Sequence, residues 1–308
     1  MAVKERDLSL NIGVFRHRDT PVASRVDYVA CHRVMRAASK NYSYASTFLP
    51  ADKRPHVEAL YALMRVGDDR VDVSHEGFAS PLEAINDWEH LYWHAFETGS
   101  SPHPVMRAYL DTARTFDIPA EIMRPYFQAM RDDLTVIRFA TFDDLLGYMD
   151  GSALPVGRAM TYILGTRKGA SIEDALPGAD ALSIAMQLSN FWRDIGEDYH
   201  QIGRIYLPGE DMESFGVGED DIAHKRITPG FVALLEYQIT RTERYYQQAR
   251  EAISLLASGQ WAVMSGLEIY QAILPAIHRN GYDIFTQRAR ANNARKLGLA
   301  ARSFWLTR

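Results

Sequence analysis

The sequence predicts an all-α protein, folded as a single domain over residues 1–308. Three observations lead there. Apolar residues recur at three- and four-residue spacing, the period of one helix face. Proline and glycine gather at joints between the periodic stretches, where they end helices. Sustained apolar–polar alternation of the strand type is scarce.

Taken in chain order, Val57, Leu60, Tyr61 and Met64 form the first stripe, and Leu182, Ala185, Met186 and Ser189 form a second. Residues 231–256 make a third, long helix carrying Leu234, Leu235, Ile239, Tyr246 and Ile253. Breaks are expected near Pro50, Gly77 to Pro81, Gly99 to Pro104, Pro119, Gly165 to Gly169, Pro177 to Gly178, Pro208 to Gly218 and Pro229 to Gly230. The stretches between them amount to roughly ten helices. No polar linker divides the chain, and no solenoid repeat runs through it. A glycine-rich phosphate loop is absent from the sequence.

Composition narrows the function. With 47% hydrophobic and 24% charged residues, an ordinary globular core is available. The net charge is −5, with the two signs interspersed, so no nucleic-acid partner is expected. The single cysteine, Cys31, rules out an intramolecular disulfide and fits a cytoplasmic, reducing setting. The charges at Lys4, Glu5, Arg6 and Asp7 do not form a secretory signal. No apolar run is long enough for a transmembrane segment. Peripheral membrane contact is compatible with all of this.

The chemistry is concentrated in two acidic stretches. The first reads Arg65-Val66-Gly67-Asp68-Asp69-Arg70-Val71-Asp72 and continues an apolar stripe, so it lies on that helix. Asp68 and Asp72 share a face at four-residue spacing, with Asp69 beside them. The second runs from Gln187 to Asp198, where Gln187, Asn190, Asp194 and Asp198 draw a polar stripe down one side of a helix. Carboxylates this close repel one another, and a divalent cation removes that cost. Magnesium takes oxygen ligands from a few carboxylates, water and phosphate. Arg65, Arg193 and Lys40 can meet the phosphate charge that remains. An acidic pair on one helix is usually a solvated face. Two such motifs, each beside an apolar stripe and each with its own arginine, point instead to diphosphate bound through metal.

At this point the residues resemble a known family, the squalene/phytoene synthases. Arg65-x-x-Asp68-Asp69-x-x-Asp72 is similar to its first aspartate-rich motif. Gln187 to Asp198, followed by Gly203-Arg204-Ile205-Tyr206-Leu207-Pro208, is similar to its second. Ser39 to Ser46, Tyr148 to Gly157, Tyr270 and Gly281 to Phe285 resemble further family segments, so the likeness covers about residues 25–290. It implies an isoprenoid-synthase helical fold with a central apolar channel. It also implies head-to-head coupling of two prenyl diphosphates through a cyclopropylcarbinyl diphosphate. Carried over position by position, Asp68, Asp72, Asn190, Asp194 and Asp198 would bind Mg2+ (or Mn2+), with Asp69 in support. Ser39, Lys40, Asn41, Tyr61, Arg65, Gln187, Arg193, Tyr270 and Arg288 would contact substrate, and Tyr148 would join the aspartates in catalysis. NADPH enters only if the product is squalene.

This chain departs from the family pattern in places. Position 70 is arginine, which is expected to alter the charge of the first motif, and position 38 is alanine. The loop between Asp198 and Gly203 looks one residue longer than usual. Ser152-Ala153-Leu154-Pro155-Val156-Gly157 resembles the hydroxysqualene branch, whereas Ser39 to Ser46 resembles the carotenoid branch. Small residues at Ala45 and Ser46 favour a deep channel and two geranylgeranyl diphosphates, hence phytoene. The alternative is a C30 synthase making squalene, dehydrosqualene or hydroxysqualene from farnesyl diphosphate. Other rivals are a cyclase or head-to-tail enzyme of the same class, and a non-catalytic helical assembly factor, which need not keep both acidic motifs. The ten histidines show no zinc spacing and read as surface or core residues. Phe191 and Trp192 adjoin the polar stripe and are the best candidates for aromatic faces that attract a cation.

Overall fold

The computed structural model describes residues 22–38, 43, 46–72, 75, 77–289 and 293–307. Helices account for the regular structure, and among the described residues the β pairing is an isolated bridge between Thr166 and Leu256. In chain order the helices are α1 (Arg25–Ala38), α2 (Arg54–Asp72), α3 (Pro81–Thr98), α4 (Pro104–Thr115), α5 (Arg124–Asp132), α6 (Phe142–Ser152), α7 (Leu154–Leu164) and α8 (Ile172–Ile202). They continue with α9 (Gly209–Ser214), α10 (Glu219–Ala223), α11 (Pro229–Ala252), α12 (Gln260–Gln271), α13 (Ile273–Arg279) and α14 (Asn293–Leu306).

Local chemistry sets the helix ends. Ser80 caps α3, its side chain accepting from the Glu83 amide, and Gly99 ends the helix in the left-handed region at φ 76°. Capping boxes start α6 (Thr141 with Asp144) and α8 (Ser171 with Asp174). Gly203 ends α8 at φ 69°. That extent corrects two expectations. Pro177 does not break the chain. It lies inside α8, where the capping box has already fixed the start upstream and the proline removes one amide donor. Its neighbour Gly178 serves packing: a Cβ there would stand 2.0 Å from the Cβ of Ala252 on α11. The presumed loop after Asp198 is also helical, up to Ile202.

Two apolar clusters form the core. One gathers α1 to α5 with part of α7, around Trp88, Tyr92, Tyr109 and Phe127. The other gathers α6, α8, α11 and α13, around Trp192, Phe231, Tyr246 and Leu274. The two buried indoles are paired. Trp88 donates to the Leu63 carbonyl at 3.1 Å, and Trp192 to Thr242 at 2.9 Å. The long helix α8 and the first acidic helix α2 face each other where the clusters meet, and the space they leave holds the candidate site.

Candidate active site

The last turn of α2 presents Asp68, Asp69 and Asp72, and the second half of α8 presents Asn190, Asp194, Glu197 and Asp198. Between the helices runs a cavity of about 470 Å³. Arg65, Asp68, Gln187 and Asn190 line its polar end. The walls beyond are apolar, with Leu60, Met64, Met160, Leu164 and Leu182. Small residues, Ala175, Gly178 and Ala179 on α8 and Gly266 on α12, keep the depth open. Tyr61 and Ser46 also line the cavity. Ser39, Lys40 and Asn41 lie outside the described residues.

The first motif divides its work. The Tyr126 hydroxyl donates to the Met64 carbonyl at 2.7 Å and to Asp68 at 3.3 Å. It reaches α2 because residue 67 is glycine, where a Cβ would stand 2.1 Å from the phenol oxygen. Burial, reinforced by the like charge of Asp72, pushes the Asp68 carboxyl up to about 7. Burial raises Asp72 as well. Asp69 instead pairs with Arg65 at 2.5 Å. Arg70 does not alter the charge of the motif. It turns onto α3, donating to Asp87 at 2.7 Å and to the Ala84 carbonyl at 2.8 Å, with its guanidinium over the Trp88 ring.

In the second motif, burial together with Asp194 and Glu197 pushes Asp198 up to about 7. Asp194 is gripped by two guanidiniums. Arg193 donates to it through Nε at 2.8 Å and through Nη2, and Arg288 donates at 3.1 Å. Arg288 also pairs with Glu197 at 3.1 Å. Burial opposes the Arg193 charge, yet Asp194, backed by Tyr270 and Glu197, raises its pKa above the ordinary arginine value. Tyr270 thus belongs to the surroundings of Arg193.

Asp133 and Arg204, which the sequence pattern did not single out, join the two motifs. Arg204 donates to the Asp133 carboxylate at 2.8 Å, to its carbonyl at 2.7 Å and to the Tyr206 hydroxyl at 3.0 Å. Its charge opposes the burial-driven rise of both Asp72 and Asp198, so it acts on both motifs. Arg204 lay within the family-like segment but carried no assigned role, and Asp133 closes an unremarkable charged helix end. Tyr148 donates to Asp133 at 2.8 Å and is not among the residues lining the cavity, to which α6 contributes Ser152. Phe191 and Trp192 are not the channel aromatics expected of them. Phe191 stacks on Tyr206 at 3.7 Å and both are buried in the core, away from the cavity.

Among the described residues, no three His, Cys, Asp or Glu side chains converge on one ion position. The donors stand in small sets on two helices, an arrangement that suits magnesium, which completes its shell with water and phosphate oxygens. The raised carboxyls at Asp68, Asp72 and Asp198 are acids whose mutual repulsion a divalent cation would relieve. The residues present therefore fit the ion.

Comparison with known proteins bears on the same segments. A family model described as squalene/phytoene synthase matches residues 35–295. Phytoene synthase 3, chloroplastic, of Zea mays is 33% identical over 271 residues, covering 87% of this chain and 63% of that protein. Phytoene synthase of Arthrospira platensis is 32% identical over 280 residues, covering 88% of this chain and 90% of that one. The chain thus spans less than two thirds of the Zea mays protein and most of the Arthrospira platensis one. A crystal structure of a dehydrosqualene synthase with ligand superposes at TM-score 0.81 with 28% identity, covering 92% of this chain and 96% of its own. Squalene synthase HpnC from Alicyclobacillus acidocaldarius does so at 0.75 with 32% identity, covering 84% and 95%.

Proposed function

The chain belongs to the squalene/phytoene synthase family, and on that premise we propose that it condenses two geranylgeranyl diphosphates head to head to give phytoene. The observation that carries this reading is the cavity, which runs from a mouth of arginine and carboxylate to an apolar depth kept open by small residues. Asp68 and Asp72 on α2, with Asn190, Asp194 and Asp198 on α8, would hold magnesium or manganese. When bound, the metal would neutralise diphosphate oxygens and so ease departure of the leaving group. Arg65 and Arg193, with Arg288 and the Lys40 segment, bind and orient the diphosphates. Gln187 and Asn190 mark the level where the diphosphate meets the chain. Leu60, Met64, Met160 and Leu182 sheathe the hydrocarbon and keep water from an allylic cation.

In this reading one diphosphate ionises, the allylic cation alkylates the double bond of the second substrate, and loss of a proton from the attacking carbon closes the ring of the cyclopropylcarbinyl diphosphate. A second ionisation, rearrangement and proton loss complete the product. Asp133, held by Arg204, fixes the Tyr148 hydroxyl beside the two acidic helices.

The likeness to a dehydrosqualene synthase and to a squalene synthase favours a second reading, a C30 synthase using farnesyl diphosphate, with NADPH required only for squalene. The test incubates purified protein with Mg2+ and either farnesyl or geranylgeranyl diphosphate, with and without NADPH, and analyses the extracted lipids by mass. A C40 hydrocarbon without NADPH is expected. A C30 product would move the protein to the second reading, and no product from either would overturn both. No helix of the described residues is long and apolar enough to cross a membrane. A peripheral membrane contact would serve release of so apolar a product, and vesicle flotation tests it.

A further inference from the structure

Charge is unevenly placed along this chain. From Arg290 to Arg308 the sequence holds Arg290, Arg295, Lys296, Arg302 and Arg308 and no acidic residue. These are five positive charges in a chain of net −5, which leaves −10 on the remaining residues.

The helix α14 lies within this basic stretch. One side of it is fastened to α12: Ser303 is buried, and the Phe304 ring meets the Trp261 ring edge-on at 5.3 Å. The other side carries Gly298, Ala301, Arg302 and Trp305, whose spacing keeps them on one face, and all four are exposed. Trp305 is 75% exposed, the most exposed large apolar side chain among the described residues, whereas Trp88 and Trp192 are fully buried. Arg302 is 66% exposed, and its ion pair is a 3.8 Å contact with Glu268, which Arg250 already holds at 2.6 Å. Neither Trp305 nor Arg302 serves the core.

Such a face fits the headgroup level of a bilayer. An indole rests where apolar and wet regions meet, and an arginine reaches lipid phosphate while its stem stays against apolar surface. An amphipathic helix with these anchors lies in the plane of the interface. The charge distribution also sets the orientation. An anionic surface attracts the basic stretch and repels the acidic remainder, so α14 turns towards it. Behind α14, α12 lines the channel through Ala262, Val263 and Gly266. Packed helices stand about 8–10 Å apart between axes, so docking brings the apolar channel within one helix of the lipid.

We propose that α14 is a docking surface for anionic lipid, with Trp305 as its apolar anchor and Arg302 as its headgroup contact. The inference rests on the peripheral contact proposed above and gives it a place on the molecule.

Vesicle flotation of the full chain tests it, with phosphatidylcholine alone and with equal parts phosphatidylcholine and phosphatidylglycerol. The wild type should float with the anionic vesicles and not with the zwitterionic ones. Salt near ~1 M, where the Debye length is ~3 Å, should release it. Partitioning should fall at least about tenfold in Trp305→Ala. It should fall about fivefold in Arg302→Gln, the scale of one basic residue at an anionic surface, and return in Arg302→Lys. Both side chains are exposed, so circular dichroism should not change in either variant. Flotation of both variants at the wild-type level would overturn α14 as the surface while keeping a peripheral contact elsewhere. No flotation of the wild type on either vesicle would overturn the peripheral contact as well. A wild-type oligomer in light scattering that Trp305→Ala converts to monomer would assign the face to a second copy of the chain and overturn the lipid reading.

Discussion

Replacing Ala179 by phenylalanine should shift the preference between C20 and C15 substrates. Ala179 lines the channel on α8, between Asn190 at the polar end and Ala175 at the far end. Asn190 and Ala175 are fifteen positions apart in the helix, which at 1.5 Å per residue is about 22 Å. Ala179 is eleven positions from Asn190, or about 16 Å. Extended, a geranylgeranyl chain spans roughly 19 Å and a farnesyl chain roughly 14 Å, given C–C bonds near 1.5 Å. A ring at position 179 therefore leaves room for the shorter chain and blocks the last isoprene unit of the longer one. That unit holds five carbons, worth up to about 4 kcal/mol of burial at ~0.8 kcal/mol each, or as much as ~1000-fold in discrimination. Steady-state kinetics with each substrate, read by extracted hydrocarbon, should show the C20-to-C15 ratio of kcat/KM falling at least about tenfold. The substituent enters open space, so the denaturation midpoint should change little. An unchanged ratio in a normally folded variant would show that the tail does not run along α8 towards Ala175.

Three other perturbations have defined outcomes. Gly67→Ala should lower stability by about 1–2 kcal/mol in urea denaturation, although an alanine in a helix interior ordinarily gains ~1 kcal/mol over glycine, because its Cβ displaces the buried Tyr126 hydroxyl. A stability gain would show that Tyr126 moves aside freely. His56 is buried against Tyr28 and Thr112, and burial, aided by Lys53, lowers its pKa from 6.5 to about 4. The unfolded chain therefore binds the proton first, so stability falls as pH drops from about 6.5 towards 4, by up to about 3 kcal/mol. His56→Gln should flatten that slope, and an identical pH profile in the variant would refute the assignment. Asp68→Ala and Asp194→Ala should each reduce turnover more than ~100-fold with circular dichroism unchanged, and near-normal activity in either would remove that residue from the metal set.

Much of this arrangement is periodic and therefore legible in the sequence. The carboxylates Asp68 and Asp72, and the stripe from Gln187 to Asp198, follow from four-residue spacing on helices that the structure contains. Trp192 falls on the face opposite Gln187, and its burial was implicit in the same period. Contacts that close over long sequence distances had no local mark. Asp133 and Arg204 lie 71 residues apart, and neither sits in a repeating pattern. Arg70 looked like a change to the acidic motif because its neighbours are acidic, but its direction is set by Asp87 and Trp88 on another helix. Pro177 looked like a break because proline usually is one. The capping box before it and the close approach of Ala252 decided otherwise, and only the second of these is a tertiary fact.

The ion pairs around the acidic helices have a consequence for how the protein exists before it meets its substrate. Asp69 has Arg65, Asp194 has Arg193 and Arg288, and Asp133 has Arg204, so the bare chain already carries counter-ions of its own. Loading the site is then an exchange of one cation for another, not a step on which folding waits, unlike a small zinc domain that has no fold without its metal. Under the proposed function, magnesium and prenyl diphosphate would then govern when such a protein works rather than whether it folds.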